Sequence, residues 1–402
     1  MVENKTLDPF SIASILTLRY DLTQKPLLNK LSRNNLKNND EVSLNRIEQL
    51  IEKSMKAQLS TQSKVVLGLS GGIDSTLNLS LLKNKFPDIE VEAVSIKFAD
   101  SVDETILSAK LAEKFGIKHH VVYLENYLVE LPKAISLAGF PFWDLHFYHL
   151  VKKTKAISNC LISGDGGDEL FGGYVFRYKK FLSLIHNNSS PYDKVKAYLQ
   201  CHERDWVPDQ DDVFGKKIQF SWTSIHNKLL EYFDNDLDPL DQVFLADFNG
   251  KLLYNWSIVN TALTTGLDVK LVTPFISDEL IDYAMKIPFP QKYDVEKNLG
   301  KIPLRQILSK YIDSTWIPKE KQGFTANTIN IWKSHGHKIC KKYLSDARVV
   351  EDGWIAKEWI DKYIDNKNLD VRYVNKFLGL LAFEIWYRLF ITKELNADVK
   401  LN

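Results

Sequence analysis

The sequence predicts an α/β protein, a parallel sheet followed by a mainly helical C-terminal region. Two observations carry this. Short apolar runs alternate with helical patterns between residues 61 and 175, in units of roughly 25–40 residues, the length of a crossover connection. The runs are continuously apolar rather than alternating, as in strands covered on both faces. The 402 residues allow one large domain or two to three ordinary ones.

Residues 1–60 read as an N-terminal extension with a helix. Asn29 to Asp40 is rich in Asn and Lys and reads as an exposed connection. Leu44, Ile47, Ile51 and Met55 recur at helical spacing, so residues 42–58 are expected to be an amphipathic helix. Four strands are expected next: Val65-Val66-Leu67, Val91 to Ile96, His119 to Tyr123 and Cys160-Leu161-Ile162. Helical patterns lie between them near 75–85, 103–115 and 126–156. Residues 61–175 thus form the α/β core, and 176–402 a mainly helical region that completes the site. In the last strong element, Val374 to Ile391, Phe377, Leu378, Leu381, Ile385, Trp386 and Leu389 suit a buried helix.

Composition excludes several classes. Hydrophobic residues make up 45% and charged residues 26%, ordinary for a folded chain. The net charge of +1 gives no global field toward nucleic acid or an anionic membrane. Cys160, Cys201 and Cys340 are odd in number and far apart, which suits a reducing, cytoplasmic compartment and no zinc site. No secretory signal opens the chain, and the most apolar stretch, Phe377 to Phe383, is too short to span a bilayer.

Two loops carry the chemistry. Leu69-Ser70-Gly71-Gly72-Ile73-Asp74-Ser75-Thr76 follows a strand and opens a helix, whose N-terminus offers unpaired N–H groups to an anion. Gly71 and Gly72 let the backbone approach a phosphate, and Ser70 and Ser75 add hydroxyls. Asp74 makes sense if a divalent cation bridges it to the phosphates. The bland alternative is a capped turn. Walker A is excluded, because none of the three Gly-Lys pairs has a Gly five residues before its own. The second loop, Ser163-Gly164-Asp165-Gly166-Gly167-Asp168-Glu169-Leu170-Phe171-Gly172-Gly173-Tyr174, also follows a strand. Both therefore sit at the C-terminal edge of one sheet, where open α/β folds bind ligands.

The first loop resembles the pyrophosphate loop of the ATP pyrophosphatases. The second resembles the synthetase domain of class B asparagine synthetase, usually SGEGADELFGGY. The resemblance spans roughly residues 60–390. It implies an ATP-pyrophosphatase sheet of the adenine nucleotide alpha hydrolase-like type, with ATP cut between the α and β phosphates. It also implies that Asp74 and Asp168 share a Mg²⁺ with pyrophosphate, and that Gly68, Ile96, Ser163 and Gly164 line the adenosine. Asp165 stands where asparagine synthetases carry Glu and β-lactam synthetase carries Tyr. The shorter acid can still serve as acceptor or base for an amine.

Lys301-Ile302-Pro303-Leu304-Arg305 resembles the family's K-x-x-L-R, and Lys321-Gln322-Gly323-Phe324 its K-x-G-F. Lys321 is the first candidate for neutralising the leaving pyrophosphate, with Arg305 and Lys301 second. Thr273 to Asp278 resembles R-x-P-F-L-D without its Arg, part of whose work is expected of Asp268 or Lys270, while Pro274-Phe275 reads as packing. His119-His120 fits a family pattern of strand and core. Leu7 to Leu27 resembles the segment after the family's glutaminase domain. No cysteine stands at position 2, so the expectation is no glutaminase activity, with ammonia, an amine or a separate glutaminase subunit supplying nitrogen. The expected reaction is adenylation of a small carboxylate followed by amide formation, asparagine synthetase-like. The alternatives are an intramolecular synthetase of the β-lactam or lasso-cyclase type, and a tRNA-modifying ATP pyrophosphatase.

Overall fold

The computed structural model describes residues 7–37, 42–99, 101, 103, 105–318 and 326–402. Five strands form one sheet: β1 Lys64–Gly68, β2 Glu90–Phe98, β3 Lys118–Leu124, β4 Cys160–Ile162 and β5 Lys270–Val272. All neighbours are parallel and the order is β3-β2-β1-β4-β5. The chain winds outward from β1 through β2 to β3, then returns to place β4 on the other side of β1. That reversal is a topological switch point, and it leaves a crevice at the C-terminal ends of β1 and β4.

The four expected strands are present. The fifth, β5, lies in the region expected to be mainly helical. Its three residues are too few to show a strand period, and its pairing with Cys160 to Ile162 holds it in the sheet. Alternation along β1 sends Val65 and Leu67 into one core and Val66 into another. Cys160 and Ile162 join the first and Leu161 the second, so both faces are covered.

Helix α1 (Pro9–Leu18) is a second helix in the N-terminal extension, where the spacing of apolar residues predicts one, over 42–58. Asp8 caps it, Arg19 ends it at φ 67°, and it packs on the terminal helix Val371–Phe390. Helix α2 (Leu44–Leu59) buries Ile47, Ile51 and Met55 as expected. Helices α3 (Ile73–Lys85) and α4 (Thr105–Lys114) follow β1 and β2. The expected helix over 126–156 is two, α5 (Leu131–Ala138) and α6 (His146–Lys155). Gly139 at φ 65° ends the first, and Pro141 lies in the connection.

Three smaller expectations change. The Asn29–Asp40 connection holds a short turn, Arg33–Leu36, with Leu36 buried; residues 38–40 lie outside the described residues. His119 and His120 are on a strand but only half-buried, because β3 is a sheet edge. His120 Nε2 lies 2.5 Å from Glu92 and His119 Nε2 lies 2.8 Å from Ser95 Oγ. Lys270 opens β5, at the end opposite the crevice, and Asp268 pairs with Lys155 at 2.8 Å, so neither stands in for the missing Arg. Among the described residues no helix is long and apolar enough to cross a membrane.

Candidate active site

The two loops meet at the switch point. In the first, Gly71 turns at φ 75° and Gly72 caps α3. Ser70 N and Gly72 N donate to Ser75 Oγ and Ser70 Oγ, both at 3.3 Å, and Ser75 Oγ donates to Gly72 O at 3.2 Å. The second loop continues from β4, with Ser163 N donating to Val272 O at 3.0 Å. It opens helix α7 (Gly167–Phe171). Asn78 Nδ2 on α3 donates to Ser163 O at 3.1 Å, tying the loops together.

Asp74 and Asp168 converge on one cation. Lys301 Nζ contacts Asp74 Oδ2 and lies 2.8 Å from Asp168 Oδ1. Burial alone would lower the Lys301 pKa; the fields of Asp168 and Asp74 outweigh it and hold the ammonium well above its ordinary value. The backbone makes room for this trio. A Cβ on Gly167 would collide with Asp74 Oδ1, and one on Gly173 with Asp168 Oδ1. The loop's glycines are therefore demanded by side chains that must approach the backbone.

A cavity of about 220 Å³ opens here, walled by Gly68, Ser70, Gly72, Asp74, Ser75, Ser163, Gly164, Asp165 and Asp168 among others. Nearly all the residues expected around a nucleotide are thus on one wall. Ile96 is not: it is 2% exposed in the core behind the sheet. Gly71 shapes the turn without lining the cavity. Arg305 also stays off the wall; its Nε donates to Gly300 O at 2.8 Å and its Nη1 to Pro318 O at 2.6 Å. Burial lowers its pKa, and Asp74 opposes that. Both of these contacts are to main-chain carbonyls. Lys321 and the rest of Lys321–Phe324 lie outside the described residues. Phe275 is fully buried and, with Ile276, packs below Gly166, as expected of packing residues.

Asp165 faces a second, adjoining cavity of about 280 Å³ as well as the first. Ser163 Oγ and Asn260 Nδ2 donate to its Oδ2 at 2.9 and 3.3 Å. Burial raises the Asp165 carboxyl above its ordinary range, against Ser163, His146 and Asn260, which lower it. His146, Phe147, Glu169 and Tyr174 line both cavities too, and Tyr174 OH donates to Glu169 at 2.5 Å. His146 had no sequence signal, since its partner Asp144 (2.7 Å) is fixed by Arg19, 125 residues away, and by Tyr127. Glu169 and Tyr174 were visible as part of the loop string, without a role.

The donor set fits a magnesium ion. Two carboxylates from separate loops already share one cationic position, and Mg²⁺ takes one or two carboxylates with phosphates and water supplying the rest. Among the described residues no group of three or more His, Cys, Asp or Glu side chains is poised for a metal, so a higher all-protein ligand count is not on offer.

Fold and site define a parallel α/β protein with a glycine-rich, carboxylate-bearing crevice at its switch point. The asparagine synthase family model matches residues 46–388, and the chain belongs to that family. It is 24% identical over 383 residues to asparagine synthetase [glutamine-hydrolyzing] 1 of Bacillus subtilis (strain 168), covering 86% of this chain and 59% of that one. It is 21% identical over 390 residues to a putative asparagine synthetase [glutamine-hydrolyzing] of Mycobacterium bovis, covering 88% and 59%. The chain thus spans less than two thirds of the length of these relatives. Among solved structures, the U34-tRNA thiolase NcsA of Methanococcus maripaludis is 16% identical with a TM-score of 0.28, covering 60% of this chain and 85% of that one, a likeness too distant to bear on fold or activity.

Proposed function

We propose that this chain is an ATP-dependent amide-forming ligase that adenylates a carboxylic acid and passes the acyl group to an amine. The observation that carries this reading is the pair Asp74 and Asp168, brought from two loops to one cation beside the glycine-rich start of α3. A substrate carboxylate oxygen attacks the α-phosphorus of ATP, and the bond from that phosphorus to the bridging oxygen breaks. Pyrophosphate leaves and an acyl-adenylate remains. An amine nitrogen then attacks the acyl carbon, the carbon–oxygen bond to AMP breaks, and a base takes the nitrogen's proton.

Ser70, Gly72 and Ser75 hold the phosphates at the start of α3. Asp74 and Asp168 would hold Mg²⁺, which when bound supplies charge neutralisation to the phosphates. Lys301 keeps the two carboxylates together. Asp165, between the cavities and with its carboxylate made more basic by burial, is placed to receive the amine's proton. Lys321 is assigned to the leaving pyrophosphate on its resemblance alone, and Arg305 supports the chain segment that leads to it.

Nitrogen comes as free ammonia, as an amine, or from a separate glutaminase subunit. The chain's own thiols support this: Cys160 and Cys340 are buried, Cys201 is half-buried, and burial pushes Cys160 and Cys201 up to about 11 and 12. Free thiols also support a reducing, cytoplasmic setting. The second cavity favours one further reading, a larger or intramolecular amine as in β-lactam formation, because ammonia needs no room of that size.

The deciding experiment is chromatography of ATP products across a panel of carboxylic acids with and without ammonium. AMP and pyrophosphate are expected, and both should vanish in Asp74→Asn and Asp168→Asn. ADP and phosphate as products would refute the reading.

A further inference from the structure

The larger cavity is built by parts of the chain far from the two loops. Leu16 and Arg19 come from the end of α1, Trp256 from the helical stretch Phe248–Asn260, and Lys376 and Gly379 from the terminal helix. Its charges are nearly all accounted for. Arg19 lies 3.3 Å from Asp144 and 3.6 Å from Asp205, Lys251 pairs with Asp205, and His146 lies 2.7 Å from Asp144.

Lys376 differs. Among the described residues it is the one cation on this wall with no carboxylate within ion-pair distance. Its Nζ donates to Leu16 O and, at 3.5 Å, to Asp205 O, both main-chain carbonyls. The side chain is 2% exposed. An ammonium has three N–H donors, so these contacts leave one. A buried charge without a counter-ion is unfavourable. Burial draws the Lys376 ammonium down to about 7, against the fields of Asp205 and Asp209. An anion arriving in the cavity would complete the site.

Position says which end it serves. Asp165, His146, Phe147, Glu169 and Tyr174 are common to both cavities and mark the end next to the nucleotide. Lys376 lines only the outer cavity. The rest of that wall sets apolar side chains, Phe142, Trp143, Trp256 and Val259 among them, beside the paired charges and Asn255 and Asn375.

We propose that Lys376 is a specificity-determining residue that receives a second anionic group of the substrate acid, at the end remote from the nucleotide. The substrate is then a di-anion with an apolar body between its acid groups. This rests on the reading of the site as one that adenylates a carboxylate.

The test uses the full chain and matched acids: suberate against octanoate, and 4-carboxyphenylacetate against 4-methylphenylacetate. Calorimetry should show each di-anion binding at least tenfold more tightly than its mono-anion. Lys376→Met should level each pair to within twofold and leave mono-anion binding unchanged, while Lys376→Arg keeps the preference. A residue that only braces α1 against the terminal helix would weaken both members of a pair alike, and that result overturns the proposal. So does the absence of any preference in the parent. Should Lys376→Met fail to fold, Lys376→Gln takes its place, and an undiminished preference there overturns it equally. ATP–pyrophosphate exchange on the same pairs separates the two claims. A binding preference with no exchange by any acid refutes adenylation and leaves Lys376 as the anion receptor. Equal exchange by both members refutes the role of Lys376 and leaves adenylation standing.

Discussion

Replacing Lys301 by Met tests the centre of the site. The side chains of Lys301, Asp74 and Asp168 are 9%, 15% and 20% exposed, so solvent screens them little. Met keeps most of the stem volume and removes the charge. Two carboxylates then face each other without the ammonium that joined them. Removing one partner of a buried ion pair costs about 3–5 kcal/mol, because a buried charge is left uncompensated. The expected loss is of that order in chelator at pH 8. The sign with pH follows. In the parent, Lys301 is raised above its free value, so its contribution is complete below about 10.4 and is lost only as pH climbs beyond that. The parent is therefore flat in this respect from pH 8 to 5. In the variant one carboxylate of the pair gains a proton as pH falls, relieving the repulsion, so the variant should recover stability over the same interval. Magnesium should restore it at pH 8 as well. The assay is urea unfolding followed by circular dichroism, in chelator and in magnesium, at both pH values. A loss below about 1 kcal/mol, or a variant indifferent to both pH and magnesium, would refute the shared-cation argument.

Three further outcomes are expected. Gly173→Ala should leave the fold intact by circular dichroism yet lower ATP turnover by about 10²-fold or more, since its Cβ would meet Asp168 and the Lys301 stem, and misplacement by about 1 Å carries that penalty; turnover within threefold of the parent refutes it. A thiol reagent should modify none of the three cysteines within minutes in the native chain and all three in urea, because burial raises every one of them; fast native labelling counts against it. By NMR, His146 should titrate above its ordinary value, since Asp144 outweighs the burial that lowers it, and Asp144→Asn should bring it below. The stabilisation from that pair is complete below about 6.5 and fades as pH rises through the folded value.

The sheet was legible because its strands are apolar runs set between helical periods, and β1 to β4 fall where those runs fall. What escaped was set by tertiary contact. Lys270 to Val272 becomes a strand only because Cys160 to Ile162 lies beside it. The long helix over 126–156 breaks because Gly139 adopts φ 65°, which no apolar period records. Helix α1 was missed for a related reason. Seven of its ten residues are buried, so it shows no polar face and hence no amphipathic signal.

The site divides along the same line. The nucleotide end could be read from two strings because local backbone demands write it: glycines at 167 and 173 stand where Asp74 and Asp168 must pass. Even there the strings understated Lys301, which ranked behind Lys321 until its left-handed backbone at φ 57° and its two carboxylates placed it at the centre. The outer cavity has no string. Arg19, Asp144, Asp205, Lys251 and Lys376 are scattered over more than 350 residues and meet only through α1 and the terminal helix. One signal was available. In Val371–Phe390, the helix that contains the apolar run Phe377 to Phe383, Lys376 and Glu384 are both almost wholly buried. Burying a charge is unfavourable unless something answers it. Glu384 is answered by the backbone N–H groups of Arg348 and Val349, each at 3.0 Å, and by Arg388. Among the described residues, the hydrogen-bond partners of Lys376 are main-chain carbonyls alone, in the wall of a cavity. The contrast between two charges on one helix, one satisfied within the fold and one not, is the physical ground for assigning Lys376 to what the cavity binds.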